Sequence, residues 1–234
     1  KKINPIDWYH NYIQTYVERD VRLIKNVSNL HAFQKFVKLC AGRLGQILNL
    51  SSLGNDCGIT HNTAKVWLSI LEASYVIFLL KPYYKNFNKR LIKMPKLYFY
   101  DTGLACSLLG IQNKMQLNSH YSRGSLFESF VLAEIIKYRF DKGEEHNCYY
   151  WRDKSGNEID CIIEASGRLL KVEIKSAKTI AEDFFVGFRY WSKITGTDGK
   201  DSYLIYSSNE NQERTLANVV SWRNIPLIFE RDRH

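Results

Sequence analysis

Two short segments in the second half of the chain alternate polar and apolar residues. This period of two is typical of half-buried β-strands. The segments are residues 158–164 and 171–175, and the four-residue turn at 165–168 is short enough for a hairpin. Side chains two positions apart on a strand share a face. The pattern therefore predicts one shared face for Glu158, Asp160, Ile162 and Glu164, and one for Glu173 and Lys175.

The first half of the chain instead shows a helical period of apolar positions. Its last two helices are separated by a turn that contains Gly58, and Thr60 is a suitable N-cap for the final helix. Helix, glycine-containing turn and helix is the helix-turn-helix pattern. Two strands around a basic loop follow, so the pattern predicts a winged helix. The predicted elements are helices over residues 6–25, 30–44, 51–59 and 61–73 and strands over residues 75–80 and 96–100.

The pattern after residue 120 predicts an α/β layer fold with a mixed sheet. Its first helix is apolar on most sides, which indicates that it is largely buried. We therefore expect two domains: a helical winged-helix domain over residues 1–115 and an α/β domain over residues 120–234. The remaining predicted elements are a helix at 101–109, a linker at 110–123, helices at 125–140 and 179–191, a weakly helical stretch at 211–217, and strands at 148–151, 158–164, 171–175, 202–206 and 225–229.

Positive charge is concentrated in the first half. The formal net charge is +9, yet residues 1–117 hold 16 Lys and Arg against 6 Asp and Glu, whereas residues 118–234 hold 17 against 18. A basic half beside a neutral one indicates a module that binds a polyanion. The alternative is a basic surface that only keeps the protein soluble.

Nucleic acid, and DNA in particular, is the polyanion that the predicted winged helix favours. The first turn of the 61–73 helix would supply base contacts through His61, Asn62 and Lys65. Winged helices also serve as protein-docking modules, which leaves a second interpretation open. The residues predicted to decorate the wing and contact phosphates are Lys81, Lys85, Lys89, Arg90, Lys93 and Lys96.

The cysteine pattern and the apolar runs predict a cytoplasmic protein. The five cysteines are odd in number and scattered, with no C-x-x-C and no zinc-ligand spacing, so we expect reduced and mostly buried thiols. The longest purely apolar run, residues 76–80, is far too short to cross a membrane.

The candidate chemistry lies on the predicted hairpin. If its two faces match, Asp160 and Glu173 converge with Lys175 beside them. Two carboxylates suit Mg²⁺ or Mn²⁺ better than Zn²⁺, and an ammonium can orient a water molecule. The alternative is that these three side chains simply line the solvated face of a hairpin.

A further carboxylate, Glu128, falls on an apolar sector of the 125–140 helix, beside Val131, Leu132 and Ile135. A carboxylate in such a place needs a partner. A metal site, an arginine or the helix N-terminus would each supply one. Glu134 is the competing buried acid on this helix.

These residues resemble the PD-(D/E)XK nuclease fold of restriction endonucleases and Holliday-junction resolvases. The matching positions are Glu128, Asp160 and the Glu173-x-Lys175 pair, while Ile159 stands where the motif has proline. The resemblance implies that Asp160 and Glu173 bind Mg²⁺, that Lys175 positions the attacking water, and that Glu128 supports the metal shell. It also implies a nuclease that hydrolyses phosphodiester bonds.

A second resemblance extends over the whole chain. It is to the C-terminal region of predicted bacterial and archaeal AAA-type ATPases, catalogued as a domain of unknown function. The chain has no G-x-x-x-x-G-K-[ST] loop, so ATP would bind only through an upstream module of a longer chain. An alternative is an inactive nuclease-fold module that binds nucleic acid or protein and regulates the ATPase. The matching segments are Tyr16 to Asp20, Ala41 to Arg43, Asn62 to Lys65, Leu97 to Gly103 and Gly124 to Glu128.

Overall fold

A computed structural model describes residues 4–16, 29–84, 92–165, 167–197 and 199–230. Within these residues the chain has nine α-helices and eight strands, and the strands form a mixed sheet. This confirms the predicted α/β class. The chain divides into two compact units: unit 1 comprises residues 1–79 and 97–129, and unit 2 comprises residues 80–96 and 130–234.

The division differs from a single cut between residues 115 and 120. Residues 80–96, which hold the predicted wing, group with unit 2, and residues 123–129 of the long helix group with unit 1. Three elements therefore have residues in both units: β1 (Ile77–Pro82), β2 (Lys96–Phe99) and α7 (Arg123–Asp141).

Unit 1 is helical, and its helices begin at polar caps as the sequence predicts. The side chains of Asn29, Asn49 and Thr60 each accept a hydrogen bond from a backbone N–H of the helix that follows. Gly58 ends the helix before Thr60 with a φ of 71°, a conformation that glycine adopts without strain. The helices of unit 1 are α1 (Pro5–Thr15), α2 (Leu30–Gly42), α3 (Leu50–Cys57), α4 (His61–Ala73), α5 (Thr102–Leu108) and α6 (Lys114–Ser119).

An aromatic cluster lies at the centre of the unit 1 core. Trp67 of α4 packs edge-on against Phe33 and Phe36 of α2, with ring centroids 5.2 and 5.5 Å apart. The two helices of the predicted helix-turn-helix are present as α3 and α4, and these ring contacts pack α4 against α2. Two details differ. The predicted linker contains α6, and the predicted first helix ends at Thr15, with residues 17–28 outside the described part of the chain.

Unit 2 is built on a mixed sheet with the order β1-β3-β4-β5-β6-β8-β7. The pairs β3–β4, β4–β5 and β7–β8 are antiparallel, and the pairs β1–β3, β5–β6 and β6–β8 are parallel. The strands and helices are β3 (Cys148–Arg152), β4 (Glu158–Ala165), β5 (Arg168–Lys175), a 3₁₀ turn (Glu182–Phe185), α8 (Val186–Thr195), β6 (Ser202–Tyr206), β7 (Gln212–Glu213), β8 (Asn218–Ser221), a 3₁₀ turn (Trp222–Asn224) and α9 (Leu227–Glu230).

Two elements predicted near the end of the chain are wrong. Residues 211–217, predicted to be weakly helical, contain β7, because this segment pairs with β8 as an added sheet strand. Residues 225–229, predicted to be a strand, instead form a turn at 225–226 and the first three residues of α9. Pro226 explains this, because proline lacks the N–H that a strand needs and fits the start of a helix.

Asp153 closes the turn that leads into β4 and ties it to α8. Its carboxylate accepts hydrogen bonds from the backbone N–H of Asn157 at 3.0 Å and from the hydroxyl of Tyr190 at 2.9 Å. Burial raises the pKa of Asp153, but the hydrogen bonds from Asn157 and Tyr190 outweigh it and hold the pKa below its usual value.

Acid is expected to remove the stability that Asp153 contributes. A carboxyl group with a lowered folded pKa stabilises the fold above its unfolded pKa, near 3.9, and loses this contribution as the pH falls through the folded pKa. Asp153→Asn should therefore lower the free energy of unfolding by about 1–3 kcal/mol at pH 6. The difference from the wild type should shrink below about pH 4 in urea denaturation. A difference that is the same at pH 6 and pH 3.5 would contradict this role.

Candidate active site

The predicted hairpin is present and brings the two candidate carboxylates side by side. Ala165 pairs with Arg168 across the turn, and Cys161 of β4 pairs with Val172 of β5. Asp160 precedes Cys161 and Glu173 follows Val172, so the antiparallel register places Asp160 opposite Glu173.

A β-bulge interrupts the regular alternation of β4 between Ile159 and Ile162. Tyr149 and Trp151, two residues apart on β3, pair with Ile162 and Ile159, which are three residues apart on β4. The extra residue allows Ile159 and Ile162 to pack in the same hydrophobic cluster. The prediction that Glu158, Asp160, Ile162 and Glu164 share a face by simple alternation is therefore wrong, because a bulge shifts the pleat by one residue.

Lys175 joins the two carboxylates. Its Nζ donates to Glu173 Oε2 at 2.7 Å and to Asp160 Oδ2 at 3.2 Å. The backbone N–H of Ile174 donates to the same Asp160 oxygen at 2.8 Å. The side chains of Glu173 and Asp160 are only 7% and 14% exposed, and that of Lys175 is 29% exposed. The sequence interpretation that these three side chains converge is thus confirmed.

Burial and mutual charge set the pKa values of this group. Burial raises the pKa of Asp160, but the charges of Lys175 and Lys96 and the N–H of Ile174 hold it below its usual value. Burial and then the charge of Asp160 raise the pKa of Glu173 well above its usual range, and Lys175 offsets only part of this. Burial by itself would lower the pKa of Lys175. The charges of Asp160 and Glu173 outweigh burial, so the pKa of Lys175 lies above its usual value. Asp160 is therefore the more firmly ionised carboxylate.

Lys96 belongs to this environment and not to an exposed wing, which corrects its predicted role as a phosphate contact. Its side chain is 6% exposed and forms an ion pair with Glu158 of β4. The other carboxylate oxygen of Glu158 pairs with Nη1 of Arg152 at 3.1 Å. A lysine 62 positions away in sequence gives no periodic signal of this contact, so the sequence could not reveal it.

Gly187 in the first turn of α8 is a site residue that the sequence interpretation missed. A Cβ built at this position would overlap Oε1 of Glu173 and lie 2.5 Å from the carbonyl oxygen of Glu158. The helix can approach the carboxylates this closely only because the residue is glycine. A glycine followed by Phe188 is an ordinary helical sequence, so only the tertiary contact shows its importance.

Glu128 lies in unit 1, where the hydroxyl of Tyr98 on β2 donates to its Oε1. None of the three partners considered from the sequence was a tyrosine hydroxyl. Helix α7 begins at Arg123, so Glu128 lies beyond the first turn. Glu134, predicted as a competing buried acid, is instead 41% exposed and pairs with Lys137 at 3.0 Å.

Several residues in the segments that carry the second resemblance, to the AAA-type ATPases, make structural contacts in unit 1. Asp101 caps α5 through the N–H groups of Gly103 and Leu104, at 2.8 and 3.0 Å, and accepts a hydrogen bond from the Tyr9 hydroxyl. Arg43 forms an ion pair with Asp56. These contacts give Asp101 and Arg43 a role in stabilising the fold and do not indicate a catalytic role for them.

The predicted nucleic-acid contacts are partly described. His61, Asn62 and Lys65 are exposed in the first turns of α4, which is compatible with their predicted role. Lys81 and Lys93 are also exposed. Three further predicted contacts, Lys85, Lys89 and Arg90, lie outside the described residues, and the winged helix stays a prediction.

Asp160 and Glu173 fit a divalent cation by the chemistry of their donors. Their oxygens Oδ2 and Oε2 already converge on one cationic group, the ammonium of Lys175. Two carboxylates are a common protein contribution to Mg²⁺, which otherwise keeps water and substrate phosphate ligands. No group of three or more His, Cys, Asp and Glu side chains in the described residues is placed to hold a metal ion, so the protein would supply only part of the ligand shell.

Two further predictions concern the burial of the cysteines and the length of the apolar segments. All five cysteines are free, and four of them are buried. In the described ranges, no helix has both the length and the apolar character that crossing a membrane requires.

Two family models match successive parts of the chain. Residues 1–115 match the model of a domain of unknown function (DUF8612), and residues 123–225 match that of another domain of unknown function (DUF4143). Uncharacterized proteins of Mycobacterium tuberculosis and Mycobacterium bovis are each 30% identical over 172 residues, 74% of this chain and 38% of either relative. The chain thus spans less than two fifths of these curated relatives. No solved structure matches it.

Proposed function

We propose that the chain is a DNA-binding, Mg²⁺-dependent nuclease-like module that hydrolyses phosphodiester bonds. The observation that carries the proposal is the convergence of Asp160 and Glu173 on the ammonium of Lys175. Two carboxylates and a lysine on adjacent antiparallel strands match the chemistry that the PD-(D/E)XK resemblance implies. Mn²⁺ would serve in place of Mg²⁺ because both favour oxygen ligands.

Each residue of the site has a distinct task in this proposal. Asp160 and Glu173 would hold the metal ion, which when bound polarises the phosphate and acidifies a water molecule. The N–H of Ile174 fixes the orientation of the Asp160 carboxylate. Lys175, as the most exposed of the three side chains, would orient the attacking water and stabilise negative charge on the phosphate. Glu128 contributes to the metal shell only through the resemblance.

The remaining parts of the module would bind the duplex and connect to a larger enzyme. Exposed His61, Asn62 and Lys65 on α4 support a role in DNA contact, together with Lys81 and Lys93. The relatives are longer than this chain, which is compatible with a further domain. From the second resemblance we propose that this domain is an AAA-type ATPase that precedes the module in a cytoplasmic protein and binds the ATP.

A second candidate is an inactive nuclease-fold module that regulates the upstream domain. One observation favours it: Lys175 already makes hydrogen bonds with both carboxylates, so an ammonium neutralises the pair without a metal ion. In this case Asp160, Glu173 and Lys175 would only stabilise the fold.

Metal binding and hydrolysis separate the two candidates. We expect the wild type to bind Mn²⁺ in calorimetry with DNA present and to cleave plasmid DNA with Mg²⁺ but not with EDTA. Lys175→Met should retain Mn²⁺ binding, because both carboxylates remain, yet cleave about 10²-fold more slowly. Lys178→Met, at an exposed lysine nearby in sequence, is the matched control. A folded wild type that neither binds Mn²⁺ nor cleaves DNA would overturn the nuclease and leave the regulatory module.

A further inference from the structure

A groove lies between helices α1, α2 and α5. It consists of two cavities of about 380 and 370 Å³, and His10 and Ser107 line both of them. All the residues that line the groove belong to unit 1. Cavities of this size are typical of small-molecule sites.

Helix α1 is fixed against α5 beside the groove. The hydroxyl of Tyr9 donates to Asp101 at 2.9 Å, and a Cβ built at Gly103 would overlap the same hydroxyl. The two helices can approach this closely only because residue 103 is glycine. Tyr9 and Gly103 also line the larger cavity, so contacts that exist without a ligand set the position of its wall.

The two cavities differ in chemical character. The larger one, the apolar cavity, presents mostly apolar surface, to which Ile6, Ile111 and Leu117 contribute. The other, the cationic cavity, is lined by Lys38 and by two glutamines. Among the described residues, no Asp or Glu lines either cavity. A groove with an aliphatic end and a cationic end complements a molecule that has an alkyl chain and an anionic head.

Acidic residues near the groove do not neutralise Lys38, which is exposed and makes no ion pair within the described ranges. Asp101 caps α5 and is bound by the hydroxyl of Tyr9. It precedes Ser107 by six residues, which corresponds to about 9 Å along the helix. Asp7 of α1 is exposed and lines neither cavity. The charge of Lys38 is therefore available to an anion.

We propose that this groove binds the anion of a free fatty acid, with the alkyl chain in the apolar cavity and the carboxylate at Lys38. The Ser107 hydroxyl and the amides of the two glutamines supply further hydrogen-bond donors at the cationic end. Aliphatic walls favour a flexible alkyl chain over a planar base, and a single cation suits a head with one negative charge. The inference is independent of the proposed nuclease function, whose candidate residues Asp160 and Glu173 belong to unit 2.

Calorimetry with dodecanoate, at concentrations below micelle formation, tests the site. Octanoate should bind the wild type more than about tenfold more weakly than dodecanoate, because four fewer methylene groups are buried. Lys38→Met should bind dodecanoate about tenfold more weakly than the wild type, because the charge-assisted hydrogen bond is lost. Uncharged dodecan-1-ol should show a similar loss with the wild type. Lys35→Met is the matched control, since Lys35 is an exposed lysine of the same helix that lines neither cavity.

A second variant tests the position of the chain. Ser107→Tyr places a ring where the two cavities meet and should abolish dodecanoate binding. Urea denaturation verifies that this variant folds. If it does not fold, Lys38→Met and the comparison of dodecanoate with dodecan-1-ol still decide the question, because both leave the walls of the groove unchanged.

Equal affinity of wild type and Lys38→Met for dodecanoate would overturn the inference, and so would equal affinity of the wild type for dodecanoate and dodecan-1-ol. A folded wild type that binds no dodecanoate would also overturn it. If that protein instead sediments with phosphatidylglycerol vesicles, the groove is a membrane contact. If it binds an acidic amphipathic peptide, the groove is a protein contact.

Discussion

Asp160→Asn is expected to reduce Mg²⁺-dependent phosphodiester hydrolysis on the order of 10³-fold. The substitution keeps the shape of the side chain but removes the negative charge that would hold the metal ion. Asp160 is the more firmly ionised carboxylate of the pair, since its pKa is held below its usual value whereas that of Glu173 is raised. Affinity for a DNA duplex should change less than twofold, because the DNA contacts proposed here use other side chains.

Glu164→Gln is the control for this substitution. Glu164 lies on the same strand and is exposed, and it is not part of the proposed site. Initial rates on plasmid DNA and anisotropy on a duplex would be measured for both variants, with circular dichroism to verify folding. Loss of DNA binding together with cleavage in Asp160→Asn would contradict the role of Asp160 as a metal ligand, and so would full activity.

Gly187→Ala is expected to disturb the same site from the opposite side. The added methyl group would overlap Glu173 and crowd the backbone carbonyl of Glu158, which cannot rotate away. Helix α8 or the Glu173 carboxylate must then move. Overpacking of this kind costs about 1–3 kcal/mol of folding free energy. Displacement of a catalytic group by about 1 Å lowers activity on the order of 10²-fold.

Gly42→Ala provides the comparison, because a Cβ at Gly42, the last residue of α2, meets no atom within 4 Å. It should be neutral or stabilise the fold by up to about 1 kcal/mol. Denaturation curves and hydrolysis rates of both variants test the contrast. A fully active and stable Gly187→Ala protein would show that α8 does not constrain the position of Glu173.

Two groups of charged side chains meet on β4. One comprises Asp160, Glu173 and Lys175, and the other is Glu158 between Lys96 and Arg152. The first carries an excess of negative charge when both carboxylates are ionised, and the charge of Lys96 from the second group also acts on Asp160. A metal ion would complement the first group, as the proposed hydrolysis of a phosphodiester requires.

The sequence by itself determined the hairpin and its three converging side chains. The period-two pattern of residues 158–175 contains this information, because strand alternation and a short turn fix the register of an antiparallel pair. The same is true of the helix-turn-helix elements, whose caps and apolar stripes are local signals. The presence of Asp160, Glu173 and Lys175 in one group therefore followed without knowledge of the remaining fold.

Tertiary structure alone decided which other residues accompany this group. Lys96 looked like one more cation of a basic loop, yet it is buried against Glu158. Gly187 carried no signal, and Glu128 accepts a hydrogen bond from Tyr98, 30 residues away. Strand β7 formed where the sequence favoured a helix, because β8 offered unpaired backbone groups. The physical reason is common to these cases: local periodicity specifies which face a residue occupies, whereas contacts between distant segments depend on how the whole chain packs.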